Sequence, residues 1–326
     1  MTIHILHQVV RLTRAQAWQD QQIALRKTVF TLSTAFALSV ALWSPAGAEV
    51  RTAYLWADQP TAASYEAHAS YRSPSAGTAR IQRTDIGRYS VDLGGFLPGA
   101  PKMDVKGPAG QAGTIQVSAY GNTGHSCQIV SRRVQVQVAC FNAHGKPVDS
   151  KFSLLAVLAT PKDYVAYAWA YQKTLVPRYT AARAYALSAT GDDVQVVRSS
   201  IGRYTVDLGA TIATVGANVQ VSAYWPEPRR CQVINWWRGR VSVSCRDASG
   251  RLADSGFTVL AVKAPAGTRE FAYAWSDRPV PTATVEDSYV FAPEVVDGVR
   301  AVRFKQGGYT IRLGTRLNNV QVTAYG

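Results

Sequence analysis

The sequence predicts an all-β fold of tandem antiparallel β-sandwich repeats, two complete and one half. Three observations predict it. First, one stretch is written three times: Ile86-Gly87-Arg88-Tyr89-Ser90-Val91-Asp92-Leu93-Gly94, then Ile201-Gly202-Arg203-Tyr204-Thr205-Val206-Asp207-Leu208-Gly209, then Gln306-Gly307-Gly308-Tyr309-Thr310-Ile311-Arg312-Leu313-Gly314. Apolar residues stand at every second position, the period of a strand with one buried face. Second, each copy is followed by another alternating stretch: Ile115 to Tyr120, Val219 to Tyr224, and Val320 to Tyr325. Two patterns returning in one order mark a repeat architecture. Third, the 326 residues include 16 tyrosines and only 2 methionines. Valine and threonine are plentiful too, a mix that suits pleated, half-buried surfaces.

Residues 1–48 read as a secretory signal peptide with an extended N-terminus. Arg26-Lys27 precedes an uncharged, mostly apolar stretch from Thr28 to Trp43, and Ala46 and Ala48 fit an A-x-A cleavage site before Glu49. That stretch is shorter than the roughly 20 residues a spanning helix needs. An uncleaved anchor is the alternative. Residues 1–25 are long and weakly charged for such a signal, which moves the expected translation start toward Arg26. Arg26-Lys27 is not a twin arginine, so general secretion is expected. The predicted location is secreted or periplasmic, with a membrane met only through the signal before cleavage.

The first repeat spans 49–160. It opens with Ala53-Tyr54-Leu55-Trp56-Ala57, matched by Ala166-Tyr167-Ala168-Trp169-Ala170 and Ala272-Tyr273-Ala274-Trp275-Ser276. A tyrosine and a tryptophan two apart share one strand face. They read as a core pair in preference to a ligand platform, because no polar partner recurs with them. A connection rich in glycine and proline follows Leu93; it has 21 residues here, against 10 after Leu208 and 6 after Leu313. Strands fixed by packing and a surface loop free to vary give that result. Cys127 and Cys140 bracket a polar corner at Ser131-Arg132-Arg133, which reads as a hairpin with a cysteine on each arm. Asp149-Ser150-Lys151-Phe152 then opens a last buried strand.

The second repeat spans 161–264 and returns the same order. Its hairpin runs from Cys231 through Trp236-Trp237-Arg238-Gly239-Arg240 to Cys245. The cysteines lie 14 apart, against 13 in the first repeat, and a tip accepts one extra residue most easily. Four cysteines allow three pairings. The repeat favours Cys127–Cys140 and Cys231–Cys245, which an exported chain keeps oxidised. No C-x-x-C spacing points to zinc. Neighbouring strand residues face opposite ways, so Trp236 and Trp237 cannot both be core. Two accounts stay open: an exposed aromatic contact with Arg238 and Arg240 beside it, or a tip folded against the neighbouring domain.

The third repeat, 265–326, holds the first half of the unit and neither the cysteine hairpin nor the Asp-Ser-x-Phe strand. Half a sandwich leaves an edge unpaired. A fragment or frameshifted gene is the preferred account. The alternatives are packing against the second repeat and pairing with another chain.

The formal net charge is +14; beyond residue 48 there remain 31 basic and 20 acidic residues, a net +11. The basic residues are scattered and form no long run, so attraction to anionic polymers competes with an ordinary basic surface. Beyond the signal, His68, His125 and His144 are the only histidines, and none recurs. No phosphate loop, H-E-x-x-H or G-x-S-x-G is present. Asp92 with Asp207, and Asp149 with Asp254, recur and read as turn aspartates that cap local N–H groups. No catalytic residue, cofactor or metal site is expected, and no nucleic-acid motif appears.

The run G-x-Y-x-V-x-L, V-x-V-x-A-Y, a cysteine hairpin, D-S-x-F and A-Y-x-W resembles repeats of uncharacterised secreted bacterial proteins over about 50–326. The resemblance implies an exported, β-rich protein and brings no activity with it. Seven or eight short strands per repeat suit a two-sheet sandwich of immunoglobulin-like or jelly-roll-like kind. The expected function is a non-catalytic binding or surface-associated protein whose target is a polysaccharide or an anionic cell-surface polymer. Its candidate contact residues are Trp236, Trp237, Arg238 and Arg240. The alternatives are a structural extracellular spacer and a hydrolase using His68, His125 or His144 from loops of the first repeat.

Overall fold

The computed structural model describes residues 2–3, 50–97, 112–121, 123–133, 135–160, 164–174, 177–212, 216–263, 272–276, 282–284, 290–291, 299–305, 308–311, 313 and 320–324. Residues 4–49, which include most of the segment expected to be a signal peptide, and most of the long glycine- and proline-rich connection, 98–111, lie outside the described residues, while Thr2–Ile3 pairs in parallel with Gly308–Tyr309. The described chain is all-β, joined by short turns and 3₁₀ segments.

The first repeat contributes β1 (Arg51–Ala57), β2 (Ser64–Glu66), β3 (Arg80–Asp85), β4 (Arg88–Asp92), β5 (Thr114–Ala119), β6 (Ser126–Arg132), β7 (Val136–Phe141) and β8 (Phe152–Leu158). The second contributes β9 (Val165–Ala170), β10 (Arg178–Thr180), β11 (Ala186–Leu187), β12 (Gln195–Ser200), β13 (Arg203–Asp207), β14 (Asn218–Tyr224), β15 (Arg229–Trp237), β16 (Arg240–Asp247) and β17 (Gly256–Val262). The pairing order recurs. Strands β1-β8-β5 form one sheet, and β9-β17-β14 repeat that order with β11 added at the edge. Strands β2-β3-β4-β7-β6 follow one another in the same sequence as β10-β12-β13-β16-β15. The two repeats are not independent, because Tyr224 of β14 pairs in parallel with Ile129 of β6. That bridge makes one nine-stranded sheet out of strands from both.

Each cysteine hairpin places its two cysteines directly opposite one another. Both disulfides form as the spacing predicts, Cys127–Cys140 and Cys231–Cys245, with Cα atoms 4.0 and 4.1 Å apart. Two disulfides and no free cysteine among the described residues fit an oxidising compartment. Each hairpin also shifts register once, between Ile129 and Ser131 and between Val233 and Asn235. A bulge of this kind turns the strand and re-aims the residues beyond it.

The tryptophan of the A-Y-x-W segment is a core residue, but not only of its own repeat. Trp169 is buried and packs in the cluster formed by Leu55, Ile81, Tyr89, Ile115 and Phe152 of the first repeat. Its indole N–H donates to the carbonyl of Gly113 at 3.0 Å. The hydroxyl of Tyr273, two residues before Trp275, donates to the carbonyl of Gly216 at 2.7 Å. Trp275 meets Trp236 edge-on at 4.8 Å. In both cases the segment reaches back into the repeat before it.

The V-Q-V-S/T-A-Y strands make the same connection by hydrogen bonds, and these close a ring. The Ser222 hydroxyl donates to Gln116 Oε1 at 2.9 Å and accepts from the Val117 amide at 2.9 Å, tying the second repeat to the first. Thr323 donates to Gln220 Oε1 at 2.8 Å and accepts from the Val221 amide at 3.0 Å, tying the third to the second. Ser118 donates to Gln321 Oε1 at 2.9 Å and accepts from the Val322 amide at 3.1 Å, tying the first to the third. Gln116 and Ser222 are buried, so satisfying their polar atoms is required for the strands to meet.

The described part of the third repeat comprises β18 (Tyr273–Ala274), β19 (Thr282–Thr284), β20 (Val290–Phe291), β21 (Arg300–Lys305), β22 (Gly308–Ile311) and the extended residues 320–324. β21 pairs with β22 and β19, as β3 pairs with β4 and β2.

Candidate functional site

The recurrent residues come together, and their assembly is structural. In the second repeat Asp254 Oδ1 accepts from the Gly202 amide at 2.8 Å, from Arg198 Nε at 2.9 Å and from the Tyr204 hydroxyl at 2.9 Å. Arg198 adds a second bond to Oδ2 at 2.8 Å. The Tyr204 oxygen accepts from the Ser255 amide at 3.2 Å. The first repeat holds the same knot: Asp149 Oδ1 accepts from Gly87 at 2.8 Å, Arg83 at 2.9 Å and Tyr89 at 3.3 Å. The sequence predicts that these aspartates cap local turns. They cap instead a glycine amide 62 or 52 residues upstream in the chain. Asp92 and Asp207 do act locally, accepting from Gly94 and Gly209 at 2.9 and 3.3 Å. Sequence reasoning overlooked Arg83 and Arg198. The available signal is that both stand four residues before the repeated glycine.

Partial burial pushes the carboxyls of Asp149 and Asp254 up. Hydrogen bonds from the arginine, the glycine amide and the tyrosine outweigh it and hold both below the ordinary 3.8. A depressed folded value means that the unfolded chain binds more protons in that range. The stabilisation is therefore complete above the ordinary carboxylate value and is lost as pH falls through the folded one. The thermal midpoint is expected to hold steady down to about pH 5 and to fall below about pH 4. An Asp149→Asn, Asp254→Asn double variant should lose stability at neutral pH and show a shallower acid limb. Melting curves from pH 2 to 7 check this.

The proposed contact residues separate at the end of β15. Trp236 is half-buried, packs against the second-repeat core and faces Trp275. It therefore follows the second of the two accounts, a tip residue folded against a neighbour. Trp237 points the other way and is 57% exposed. The Arg238 guanidinium lies 5.7 Å from its ring centroid, within range of a cation–π contact. Arg240 Nε sits 3.5 Å from Asp207 Oδ2, both groups largely exposed. Arg238 has φ 47°, a left-handed conformation unusual for a side-chain-bearing residue. The Leu208 amide donates to the Gly239 carbonyl at 2.8 Å, which pins the tip to the segment after β13. The tip thus offers one exposed indole and two guanidinium groups from a fixed backbone.

The three histidines occupy separate segments. His68 Nδ1 accepts from the Ser70 amide at 3.2 Å and caps a 3₁₀ turn. His125 directly precedes β6, and His144 lies in the turn after β7, where its amide donates to Asn142 Oδ1 at 2.9 Å. A second aromatic and charged group emerges that the sequence did not single out. Lys173 Nζ lies 2.9 Å from Glu227 Oε1 and 5.8 Å from the Trp225 ring. Gln128 of the first repeat donates to the carbonyls of Trp225 and Glu227. This group joins the two repeats.

No family model, curated protein or solved structure matches the chain.

Proposed function

We propose that the chain is an exported, non-catalytic binding or surface-associated protein of tandem β-sandwich repeats, and that its target is a polysaccharide or an anionic cell-surface polymer. One observation carries the reading: Trp237 stands exposed on a pinned hairpin tip with Arg238 against its ring and Arg240 three residues on. An exposed indole on a fixed backbone covers the apolar face of a sugar ring at little entropic cost, and neighbouring guanidinium groups supply donors to hydroxyl or anionic substituents. The disulfides and the predicted signal agree with export. The bonds from the first repeat to the third speak for this reading over an extended spacer, because a closed arrangement adds little reach.

The test is retention of the mature chain, residues 49–326, on insoluble polysaccharides and bacterial cell walls at low and high salt. Trp237→Ala is expected to lose about tenfold or more in affinity. Trp236→Ala should affect stability before binding, since its ring packs inside the molecule. Equal retention of Trp237→Ala and the parent would sink the reading. Retention that vanishes with salt in both would reduce it to charge attraction.

A further inference from the structure

We propose that the chain binds an uncharged, linear polysaccharide across the outer face of the sheet β10-β12-β13-β16-β15, with several sugar rings lying along one row of side chains from Trp237 to Thr180. The proposal rests on the reading of Trp237 given above and extends it from one ring at a hairpin tip to a chain on the sheet.

The row follows from the register. Tyr179, Val196, Val206, Val241 and Trp236 stand opposite one another on the five strands and face the second-repeat core. The residue beside each of them therefore faces outward. On one side these neighbours are Thr180, Gln195, Asp207, Arg240 and Trp237, which are likewise paired strand by strand. None of the five is buried. Trp237 reaches this face through the bulge between Val233 and Asn235. Plain alternation would put it on the face of Val233, which is buried. With neighbouring strands about 4.8 Å apart, the row is about 19 Å long, more than one sugar ring covers.

The chemistry of the row fits sugar hydroxyls. Hydroxyl, amide, carboxylate and guanidinium follow one another, so donors and acceptors are both at hand for groups that donate and accept at once. The Gln195 amide nitrogen donates to Thr180 Oγ1 at 2.9 Å, which holds both side chains in place along the row. Arg240 Nε and Asp207 Oδ2 face each other at 3.5 Å, both largely exposed. That separation is longer than an ordinary N–H···O bond, and a hydroxyl can bridge the two groups. Thr205, Ser242 and Asn235 add a second polar line on the other side of the buried row. The Asp207 carboxylate at the centre repels a polyanion and accepts from a neutral hydroxyl. Trp237 gives the end of the row an apolar surface for a ring face. The matching row of the first repeat runs through Glu66, Arg80 and Asp92, and Arg133 stands where the second repeat has Trp237. That row is charged along its length and serves as an internal control.

The experiment titrates the chain with β-1,4-linked oligosaccharides of glucose and of N-acetylglucosamine, from one to six rings, and with polygalacturonate as an anionic chain. Calorimetry gives the affinity, and residue-resolved NMR shifts give the place. Affinity is expected to rise about tenfold or more between two rings and five. The longer chains should shift Thr180 and Gln195 as well as Trp237, and leave Arg80 and Asp92 unmoved. Gln195→Ala and Thr180→Ala should each lose several-fold for five rings and nothing for two, with melting curves showing that both fold. Trp237→Ala should lose affinity at every length. Affinity that does not depend on length, long chains that move only the tip signals, or Gln195→Ala and Thr180→Ala that both match the parent would each overturn the row while leaving the Trp237 reading in place. Equal binding by Trp237→Ala and the parent would remove that reading and the row together. Binding of neither oligosaccharide series, or tighter binding of polygalacturonate, would overturn the assignment of an uncharged chain.

Discussion

Trp169→Ala is expected to lower stability by about 4 kcal/mol, the range for emptying a buried tryptophan. Three losses add up. The indole leaves a cavity in a core made largely by the first repeat. The Gly113 carbonyl loses its donor. The edge-on contacts with Tyr185 and Tyr224, at 6.1 and 5.1 Å, disappear. The distinctive expectation is where the damage falls. Although Trp169 belongs to the second repeat by sequence, amides of β4, β5 and β8 in the first should lose exchange protection along with those of β9. Denaturant unfolding gives the size of the effect, and residue-resolved hydrogen exchange gives its location. Damage confined to the second repeat would contradict the shared core.

Gly202→Ala is the second large effect, expected to cost more than about 3 kcal/mol. Gly202 has φ +64°, and a Cβ there would lie 2.5 Å from the carbonyl oxygen of Cys245 and 2.7 Å from the amide nitrogen of Ala253. Both are backbone atoms of the segments that the disulfide and Asp254 hold in place, so neither yields easily. The Cys245 amide donates to the Gly202 carbonyl at 2.8 Å, and the Gly202 amide donates to Asp254. A shift of the glycine therefore disturbs the whole knot. Gly250→Ala separates conformation from crowding. Gly250 has φ +85° with open space where a methyl group would stand, so it should cost only about 1–2 kcal/mol, the left-handed penalty alone. Urea midpoints of the two variants check the difference. Equal losses would show that the knot does not constrain Gly202.

Much of the local fold was legible because period two and the repeat spoke together. Alternation placed the strands around Tyr89 and Tyr204, and the matching intervals paired Cys127 with Cys140 and Cys231 with Cys245. What alternation cannot specify is which repeat a side chain enters. Trp169 shows a strand face pattern, and nothing in that pattern points it at Gly113. Gln116 and Ser222 alternate with valines and so look solvent-facing, yet each is buried because the other satisfies it across the repeat boundary. Asp149 stands in the short connection between β7 and β8, where local capping is the ordinary expectation. Its partners Gly87 and Tyr89 lie 62 and 60 residues away, joined only by the tertiary fold. At the candidate site, opposite facing of Trp236 and Trp237 was legible from strand geometry, while the choice of Trp237 as the exposed one needed the bulge between Val233 and Asn235.

Closure of the three V-Q-V-S/T strands ties the repeats to one another, and hydrogen exchange at Val117, Val221 and Val322 tests it most directly. Each of these amides donates to a hydroxyl of another repeat: Ser222, Thr323 and Ser118 respectively. The ring predicts slow exchange at all three, and Ser118→Ala should release Val322 while Val117 stays protected. Rapid exchange of Val322 in the parent chain, beside a protected Val117, would mean that the third repeat does not reach the first, and the ring would be wrong.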